Sequence, residues 1–443
     1  MSGAGPCALE RPRARQPAPL DLRPDEGRFS FFDTRMTSTI LTTDLHTPLG
    51  AYLHLREAGR ASFLLESVDQ GRLGRHSFVG CGNRLVDFEE AETLDVPVVG
   101  YLGYDHIAKL EPTVPLPADG PDVPESRFVV ADIFLRFYHL TGTAEVIRGD
   151  PGAIAALLAR PLAQPDERRT AGGPTVRFPD REEHEGRVVR VQEHIRKGDA
   201  FQVVLSQRAE RPTDVTPLAV YRALRRINPS PYLFLLEVDD LALVGSSPET
   251  HVKVEGTRAS LNPIAGTTER GEGDAERLLA SDKDRAEHVM LVDLGRNDLS
   301  RVCKPGTVQV ERFLEPERFS HVTHLVSEVA GELQDGVTPF DVLRATFPAG
   351  TVSGAPKVRA MQIISELEGY RRGTYAGVVG YHLPGVGLDT CIAIRTVRLS
   401  GGRAYLQAGG GIVADSDPAA EHQECLNKLA ALEAALELAE NGS

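Results

Sequence analysis

Cysteine is scarce in this sequence, and the few cysteines lie far apart. The chain of 443 residues has five, with no C-x-x-C pair, at Cys7, Cys81, Cys303, Cys391 and Cys425. An odd number of scattered cysteines disfavours a disulfide framework, and the lack of paired cysteines disfavours a cysteine zinc site. The composition therefore favours a reduced, cytoplasmic protein.

Long apolar runs are also missing. No stretch of about 18 apolar residues occurs, so the sequence predicts no membrane-spanning helix. Residues 1–35 are rich in proline and arginine and lack the apolar segment of a secretory signal. We expect a flexible leader there, with Met36 as a candidate first residue.

Excess positive charge is absent as well. The chain has 49 lysines and arginines against 63 acidic residues, which gives a formal net charge of −14, and the basic residues are spread along the sequence. A basic patch is the usual mark of a protein that binds nucleic acid or an anionic membrane, so we expect neither partner. A small anionic substrate would need a local basic pocket.

Several common catalytic motifs do not occur. The sequence has no G-x-S-x-G elbow, no H-E-x-x-H, no Rossmann glycine fingerprint after a first strand and no cysteine in a nucleophile setting. The corresponding hydrolases and dinucleotide enzymes are therefore disfavoured.

What the chain does contain is a pattern of many strands and few helices. Residues 36–160 predict an N-terminal lobe of mixed α/β type, in which SRFVVADIFLRFYHLTGTAEVIRG predicts two adjacent strands. Residues 161–180 are rich in proline, glycine and charge and predict a linker. In residues 181–438 strands follow one another without a helix between each pair, which predicts an α+β fold with a largely antiparallel sheet and outer helices.

Two acidic pairs stand at helical i, i+3 spacing. Asp284 and Glu287 lie in one predicted helix, AERLLASDKDRAEHVMLVDLGRNDLSRV, and Glu421 and Glu424 lie in a second, with Lys428 one turn further on. If the two helices face each other, four carboxylates without cysteine or histidine suit Mg²⁺. Spacing alone favours the plainer interpretation, in which both pairs are solvated helix faces.

Three further features are candidates for chemistry. Glu249 follows the turn GSSP at a predicted strand end, where a buried carboxyl group would have a raised pKa and serve as a general acid. His321 and His324 point to opposite faces of a predicted strand, so they are not expected to share a metal; the pattern favours a structural role, with one of them a candidate proton carrier. The loop TFPAGTVSGAPKVRAM, residues 346–361, either presents N–H groups to an anion or simply starts a helix, and it is not a Walker loop.

Six motifs cover about residues 180–435: PIAGTTERG, DRAEHVMLVDLGRNDLSRV, HVTHLVSEVAGEL, FPAGTVSGAPKVRAMQIISELE, GVVGYHLPGVGLDTCIAIRT and QAGGGIVADSDPAAEHQECLNK. Together they resemble the chorismate-utilising enzymes, and among them the large subunits of anthranilate synthases. TPLGAYLHLREAG, SFLLESVDQGRLGRHSFVG and VVGYLGYD resemble the regulatory lobe of the same subunits. The resemblance implies two packed, mostly antiparallel sheets with outer helices.

The resemblance also implies a reaction. Chorismate and ammonia would give anthranilate and pyruvate, the first committed step of tryptophan biosynthesis. The catalytic residues would be Glu249, which protonates the departing C4 hydroxyl, His324, which assists the elimination of pyruvate, and Thr351. The residues that bind the substrate would be Gly266, Thr267, Tyr375, Arg395, Gly410, Gly411 and Lys428.

The cofactor and the partner follow from the same resemblance. Mg²⁺ would be held by Glu287 and Glu424, with Asp284 and Glu421 acting partly through water. The chain has no glutaminase signature, so ammonia would come from a separate glutaminase subunit, in a heterotetramer of two large and two small subunits.

The resemblance further implies feedback inhibition by tryptophan at the junction of the two lobes. The motifs LLES and NPSPYLF would form this site. Its residues would be Glu66, Ser67, Asn228, Pro229, Ser230, Pro231 and Tyr232.

Two residues separate the activities within the family. Isochorismate and salicylate synthases carry a lysine base where this chain has Gln202, which disfavours attack by water. Aminodeoxychorismate synthase typically carries a nucleophilic lysine where this chain has Ala265, and a methyl group cannot attack the ring. A tryptophan-sensing protein without catalysis is the third alternative; it would have lost Glu249 or the acidic pairs, and all are present.

Overall fold

The computed structural model describes residues 39–69, 72–162, 172–318 and 322–441. The predicted leader over residues 1–35, Met36, His321 and part of the predicted linker lie outside the described residues.

The first segment of the fold, residues 39–158, begins with a short strand. A helix follows that starts at a proline and is capped by the Thr47 side chain. Its elements are β1 (Thr39–Thr42), α1 (Pro48–Leu55), β2 (Ala61–Asp69), β3 (Arg72–Gly82), β4 (Arg84–Val86), α2 (Phe88–Ala91), β5 (Val98–Leu102), α3 (Ile107–Leu110), β6 (Ser126–Val130), β7 (Ile133–Tyr138), β8 (Thr143–Arg148) and α4 (Pro151–Leu158).

The second segment, residues 176–441, is longer and contains both strands and helices, the longest helix having 24 residues. Its elements are β9 (Val176–Phe178), α5 (Arg181–Arg196), β10 (Gln202–Pro212), α6 (Pro217–Ile227), β11 (Tyr232–Val238), β12 (Leu241–Ser247), β13 (Thr250–Glu255), β14 (Arg258–Leu261), β15 (Ile264–Glu269), α7 (Asp274–Ala280), α8 (Asp282–Ser300), β16 (Gln309–Arg318), β17 (Val322–Glu332), α9 (Pro339–Thr346), β18 (Gly354–Ala355), α10 (Lys357–Glu368), β19 (Val378–Leu383), β20 (Gly387–Ile392), β21 (Thr396–Ser400), β22 (Arg403–Ile412) and α11 (Pro418–Asn441).

The strands form two antiparallel sheets, as the resemblance implied. The first has the order β1-β8-β7-β3-β2-β11-β12-β21-β22-β10-β18, with β9 beside β10. The second has the order β15-β17-β14-β13-β20-β19-β5-β6-β4, with β16 beside β17. The two segments share both sheets, because β2 pairs with β11 in the first and β5 pairs with β19 in the second. The predicted α+β class is confirmed.

Hydrophobic side chains fill the space between the sheets and cover their outer faces. Phe63, Phe134 and Phe234 of the first sheet pack against Val99 and Val379 of the second. Residues of α1, α4, α6 and α11 cover the outer face of the first sheet, and residues of α8 and α9 cover that of the second. The result is a layered arrangement of helices, sheet, sheet and helices. Among the described residues, no helix combines the length and apolar character needed to cross a membrane.

Two expectations about single elements were wrong. The segment predicted as two strands forms three, and β6 belongs to the second sheet whereas β7 and β8 belong to the first. The chain changes sheets at Ala131 and Asp132, whose N–H groups donate to Pro97 and Cys81. The long helix predicted over 275–302 is two helices, because Ser281 takes an extended conformation and its hydroxyl caps α8.

Candidate active site

Glu249 lies between β12 and β13, at the point where the chain passes from the first sheet to the second. Its side chain is buried, with 7% of the residue exposed. Burial raises the pKa of the Glu249 carboxyl group to about 8, against weaker lowering by the Thr351 hydroxyl, the Ile264 N–H and Lys428. The carboxyl group therefore carries a proton at neutral pH, as its position in the sequence suggested.

Thr351 belongs to a short 3₁₀ turn, Gly350–Val352, that faces Glu249. Its hydroxyl is buried and makes no hydrogen bond of standard geometry with the described residues. The lysine of the same loop, Lys357, points elsewhere: its Nζ donates to Asp298 at 2.6 Å and to the Thr346 carbonyl at 2.9 Å. The loop thus contributes the Thr351 hydroxyl to the site, whereas Lys357 forms an ion pair and a hydrogen bond elsewhere in the fold.

His324 stands on β17, beside the bulge in β15. Its Nδ1 lies 3.0 Å from the carbonyl oxygen of Gly266. Burial lowers the pKa of His324; the hydrogen bond to Gly266 acts to raise it and Arg395 to lower it, and the net shift is downward, which favours the neutral imidazole. Gly266 has φ +69°, and a Cβ there would stand 3.3 Å from the Asp284 side chain, so this position favours glycine. The Thr267 side chain lies outside what the structure describes.

The strand β22 brings three consecutive glycines to the site. A Cβ on Gly409 would stand 2.9 Å from the Tyr375 hydroxyl, and one on Gly410 would stand 3.0 Å from Glu421 Oε2. One on Gly411 would collide with the Gln202 amide. The glycines therefore allow side chains from both sides to approach this backbone closely.

Two cations lie beside this strand. Lys428 Nζ donates to the Gly409 carbonyl at 2.7 Å and pairs with Glu424 at 2.6 Å. Burial lowers the pKa of Arg395, while Tyr375 and Glu424 act to raise it. A basic pocket inside an acidic protein was expected for an anionic substrate, and Arg395 and Lys428 are candidates to form it.

The two acidic pairs face each other across the site. Burial raises the pKa of Glu287, and the charges of Asp284 and Glu424 raise it further. Glu421 is buried, its Oε1 accepts from the Ser416 hydroxyl at 2.7 Å, and burial followed by the charge of Glu424 raises its pKa. Helices α8 and α11 thus present carboxylates to each other, which their spacing could not establish.

Carboxylate oxygens at this junction fit a hard divalent cation such as Mg²⁺. Glycines line it, since Gly410 packs against Glu421 and Glu424, and Gly266 packs against Asp284. Among the described residues, no three of these four carboxylates have oxygen atoms within 4.8 Å of one another, so they lie further apart in this structure than the ligands of one bound ion would.

A cavity lies between the two sheets, apart from this junction. Its volume is about 320 Å³, and the residues that line it include Glu66, Ser67, Pro231 and Tyr232. Glu66 is 3% exposed; its Oε2 accepts from the Tyr221 hydroxyl and lies 3.6 Å from Arg225. Its Oε1 is buried without a hydrogen-bond partner among the described residues.

The other residues predicted for this inhibitor site fix the turn that carries Pro231. The Ser230 carbonyl accepts from the Val68 N–H at 3.2 Å, and the Asn228 carbonyl accepts from the Ser246 hydroxyl. The structure therefore brings Glu66, Ser67, Pro231 and Tyr232 to one cavity and places Asn228, Pro229 and Ser230 on the turn behind it.

Comparison with known proteins gives the family. Residues 53–434 match the model of the chorismate-binding enzymes. The chain belongs to this family. It is 41% identical to a probable anthranilate synthase component 1 of Schizosaccharomyces pombe, over 88% of this chain and 90% of that protein. It is 43% identical to anthranilate synthase component 1 of Thermus thermophilus, over 90% of this chain and 97% of that protein.

Solved structures agree with the fold of this family member. Anthranilate synthase component I of Streptococcus pneumoniae superposes with a TM-score of 0.71 at 35% identity, covering 84% of this chain and 92% of that one. The menaquinone-specific isochorismate synthase of Escherichia coli superposes with a TM-score of 0.72, covering 90% of this chain and 94% of that one. At 22% identity the second likeness concerns the fold alone.

Sequence reasoning overlooked several residues of the two sites. Gln202 was noted only as the absence of a lysine, yet its amide donates to Glu287 Oε1 at 2.8 Å and packs on Gly411. The cavity between the sheets is also lined by Lys253 and Asp389, which lie on strands of the second sheet. Only the pairing of distant strands reveals these neighbours, since no local motif marks them.

Proposed function

We propose that this chain is the large subunit of an anthranilate synthase, which acts in the cytoplasm and converts chorismate and ammonia to anthranilate and pyruvate. One observation carries the proposal: Glu249 is a buried, protonated acid beside the junction of cations, glycines and carboxylates. The names of relatives about 40% identical over most of the chain support it.

Substrate binding rests on charge complementarity. Chorismate has two carboxylates, and Arg395 and Lys428 are the cations that the site offers them, with the Tyr375 hydroxyl nearby. The glycines of β22 let backbone N–H groups come within hydrogen-bonding distance of the substrate. Glu287 and Glu424, assisted by Asp284 and Glu421, would hold Mg²⁺, which when bound neutralises the ring carboxylate and makes the ring more electrophilic.

The reaction requires proton transfers from Glu249 and to His324. As ammonia adds at C2, Glu249 gives its proton to the C4 hydroxyl, which leaves as water, and the ammonium group formed at C2 then loses a proton, which restores the acid. Pyruvate is eliminated next and the ring loses a proton as it becomes aromatic. The neutral imidazole of His324 is suited to accept that proton, because its pKa is lowered and its orientation is fixed by Gly266.

Two positions argue against the nearest alternatives. Ala265 is 8% exposed and lies on β15 beside Gly266, so the site offers a methyl group in place of a lysine nucleophile. Gln202 donates its amide to Glu287 and cannot serve as a base for water. Direct attack by ammonia at C2 is the route that these residues favour.

The test is product identification. Purified protein given chorismate, ammonium and Mg²⁺ at alkaline pH is expected to form fluorescent anthranilate and an equal amount of pyruvate. Isochorismate, salicylate or 4-amino-4-deoxychorismate as the product would overturn the proposal. Omitting Mg²⁺ and adding a chelator should abolish turnover if the cofactor assignment is right.

Partner and regulation complete the proposal. A separate glutaminase subunit supplies ammonia, in an assembly of two large and two small subunits. Tryptophan binds in the cavity between the sheets as a feedback inhibitor. The buried Oε1 of Glu66, which has no hydrogen-bond partner among the described residues, suits its ammonium group, and the cavity of about 320 Å³ has room for the indole.

A further inference from the structure

Arg372 is a buried cation that none of the roles above uses. Its side chain is 1% exposed, and it follows α10 in the turn that leads to Tyr375. Its Nε donates to Glu368 Oε2 at 2.9 Å and its Nη2 donates to Glu368 Oε1 at 2.7 Å. This is a bidentate pair, the strongest geometry for a guanidinium and a carboxylate.

The remaining donors of Arg372 reach two other parts of the site. Nη1 donates to the carbonyl of Val352, the residue after Thr351, at 2.7 Å. Nη2 donates to the carbonyl of Val204 at 2.8 Å, two residues after Gln202 on β10. One side chain therefore ties the turn of Thr351 to the strand of Gln202.

The same guanidinium stacks on aromatic rings. It lies 4.7 Å from the ring centre of Tyr104 and 5.6 Å from that of Tyr375. Asp105 holds the backbone around it, accepting from the Arg372 N–H and the Gly373 N–H at 3.1 Å each. The Arg372 guanidinium thus contacts the face of the Tyr375 ring.

Glu368 extends the network to the glycine strand. Its Oε1 accepts from the Ser206 N–H at 2.9 Å and from the Ser206 hydroxyl at 2.7 Å. Ser206 Oγ in turn accepts from the Gln407 amide at 2.8 Å, and Ser206 pairs with Gly409 in the sheet. Glu368 therefore contacts β10 directly and β22 through Ser206.

We infer that Arg372, with Glu368, is a positioning residue of the active site: it holds Tyr375, the Thr351 turn and the strand of Gln202 in the arrangement that binds chorismate. The inference rests on the proposed substrate. A buried ion pair is weak as a source of stability compared with apolar packing of the same volume, whereas its fixed geometry orients several groups at once. Arginine is required here because one planar guanidinium donates four hydrogen bonds and contacts two rings. The ammonium group of lysine cannot make this set of contacts.

The chain supplies a matched control for this role. Arg211, on β10, is likewise buried and pairs with buried Glu440 at 2.7 Å, which the Thr213 hydroxyl contacts at 2.8 Å. Among the described residues, no side-chain hydrogen bond joins Arg211 to a residue assigned to the active site. Arg211→Lys therefore makes the same chemical change in another buried arginine–glutamate pair.

The experiment compares Arg372→Lys and Arg211→Lys in the full chain. We measure melting temperature, KM and kcat for chorismate with ammonium, and the Kd of chorismate by calorimetry without ammonia. Both variants should melt a few degrees lower than the wild type. Only Arg372→Lys should raise KM and Kd, on the order of tenfold to a hundredfold. Glu368→Gln should change them in the same direction, and it decides the matter if Arg372→Lys does not fold.

Two outcomes would overturn the inference. One is an Arg372→Lys or Glu368→Gln variant that binds chorismate as tightly as the wild type below its melting temperature. The other is an equal loss of affinity in Arg211→Lys, which would show a general effect of destabilisation. Failure of the proposed function looks different: the wild type itself would form no anthranilate, and the Kd comparison would still test Arg372.

Discussion

Glu249 and Glu66 are both buried glutamates, one at the proposed catalytic site and one at the proposed inhibitor site. Burial is the main cause that raises the pKa of each. Glu66 faces the Arg225 guanidinium at 3.6 Å and the Tyr221 hydroxyl, both of which lower its pKa. The cation that acts on Glu249 is Lys428, whose Nζ already pairs with Glu424.

The difference teaches how one residue type serves two purposes. A buried carboxyl group without a free cation keeps its proton and can donate it. A buried carboxyl group beside a guanidinium is better able to hold a negative charge and to receive an ammonium group. The neighbours of each glutamate decide its role.

The two sites are also close in the fold. Tyr232, which lines the cavity between the sheets, pairs with Ser247 on the strand that leads to Glu249. Its hydroxyl lies 2.9 Å from Thr250 Oγ1, in the residue directly after Glu249. A ligand that moves Tyr232 would therefore disturb its contact with Thr250, the residue next to the proposed acid.

The largest expected effect is that of Glu249→Gln. The amide cannot give up a proton, so kcat should fall by about 10² to 10⁴. Chorismate affinity should change little, because Glu249 bears no charge at neutral pH. The assay is anthranilate fluorescence together with pyruvate release. Glu66→Gln is the comparison: it should retain turnover and lose inhibition, and equal losses of turnover in both variants would erase the distinction.

The next effect concerns inhibition. Ser67→Phe puts a bulky ring into the cavity between the sheets and should weaken tryptophan inhibition by about ten- to a hundredfold, equivalent to about 1–3 kcal/mol of overpacking. Turnover without tryptophan should remain, since Ser67 touches none of the catalytic residues. Inhibition curves at fixed chorismate decide this, and an unchanged curve would place the inhibitor elsewhere.

The third prediction is the pH dependence of turnover. Because Glu249 must be protonated and has a pKa of about 8, kcat per unit of free ammonia should fall above pH 8, by about tenfold per pH unit. Initial rates from pH 6.5 to about 10, corrected for the fraction of free ammonia, measure it. A flat corrected profile would contradict the role of Glu249.

The same pKa has a consequence for stability. The pKa of Glu249 is higher in the folded chain than in the unfolded one, so its contribution to folding is complete below the ordinary pKa of 4.5 and is lost as pH rises through about 8. Glu249→Gln should therefore gain stability relative to the wild type between pH 5 and about 9. Melting temperatures across this range would show it, and parallel curves would refute it.

The smallest expected effect is that of Gly410→Ala. The added Cβ would stand 3.0 Å from Glu421 Oε2, so the carboxylate must shift by a few tenths of an ångström. KM for chorismate should rise by about fivefold, the equivalent of about 1 kcal/mol. Gly186→Ala, on α5 with open space around it, is the control and should leave KM unchanged.

Sequence patterns predicted much of this architecture, and the predictions failed at particular places. The acidic pairs were visible as i, i+3 repeats, because helical spacing is local. Whether α8 and α11 face each other was undecided, since no local pattern reports the pairing of distant helices. The crossing at Ala131 was missed for the same reason: a strand that changes sheets has the same alternation as one that does not.

The sequence by itself determined the α+β class and the identity of the groups available for chemistry, including an alanine at 265 and a glutamine at 202 where related enzymes carry lysines. Only the tertiary structure decided what those groups can do. The raised pKa of Glu249, the lowered pKa of His324 and the contact of Arg372 with Tyr375 arise from desolvation and contacts that residues far apart in the chain impose together. Such effects depend on all the atoms around a group in space, and a linear pattern contains only its neighbours in sequence.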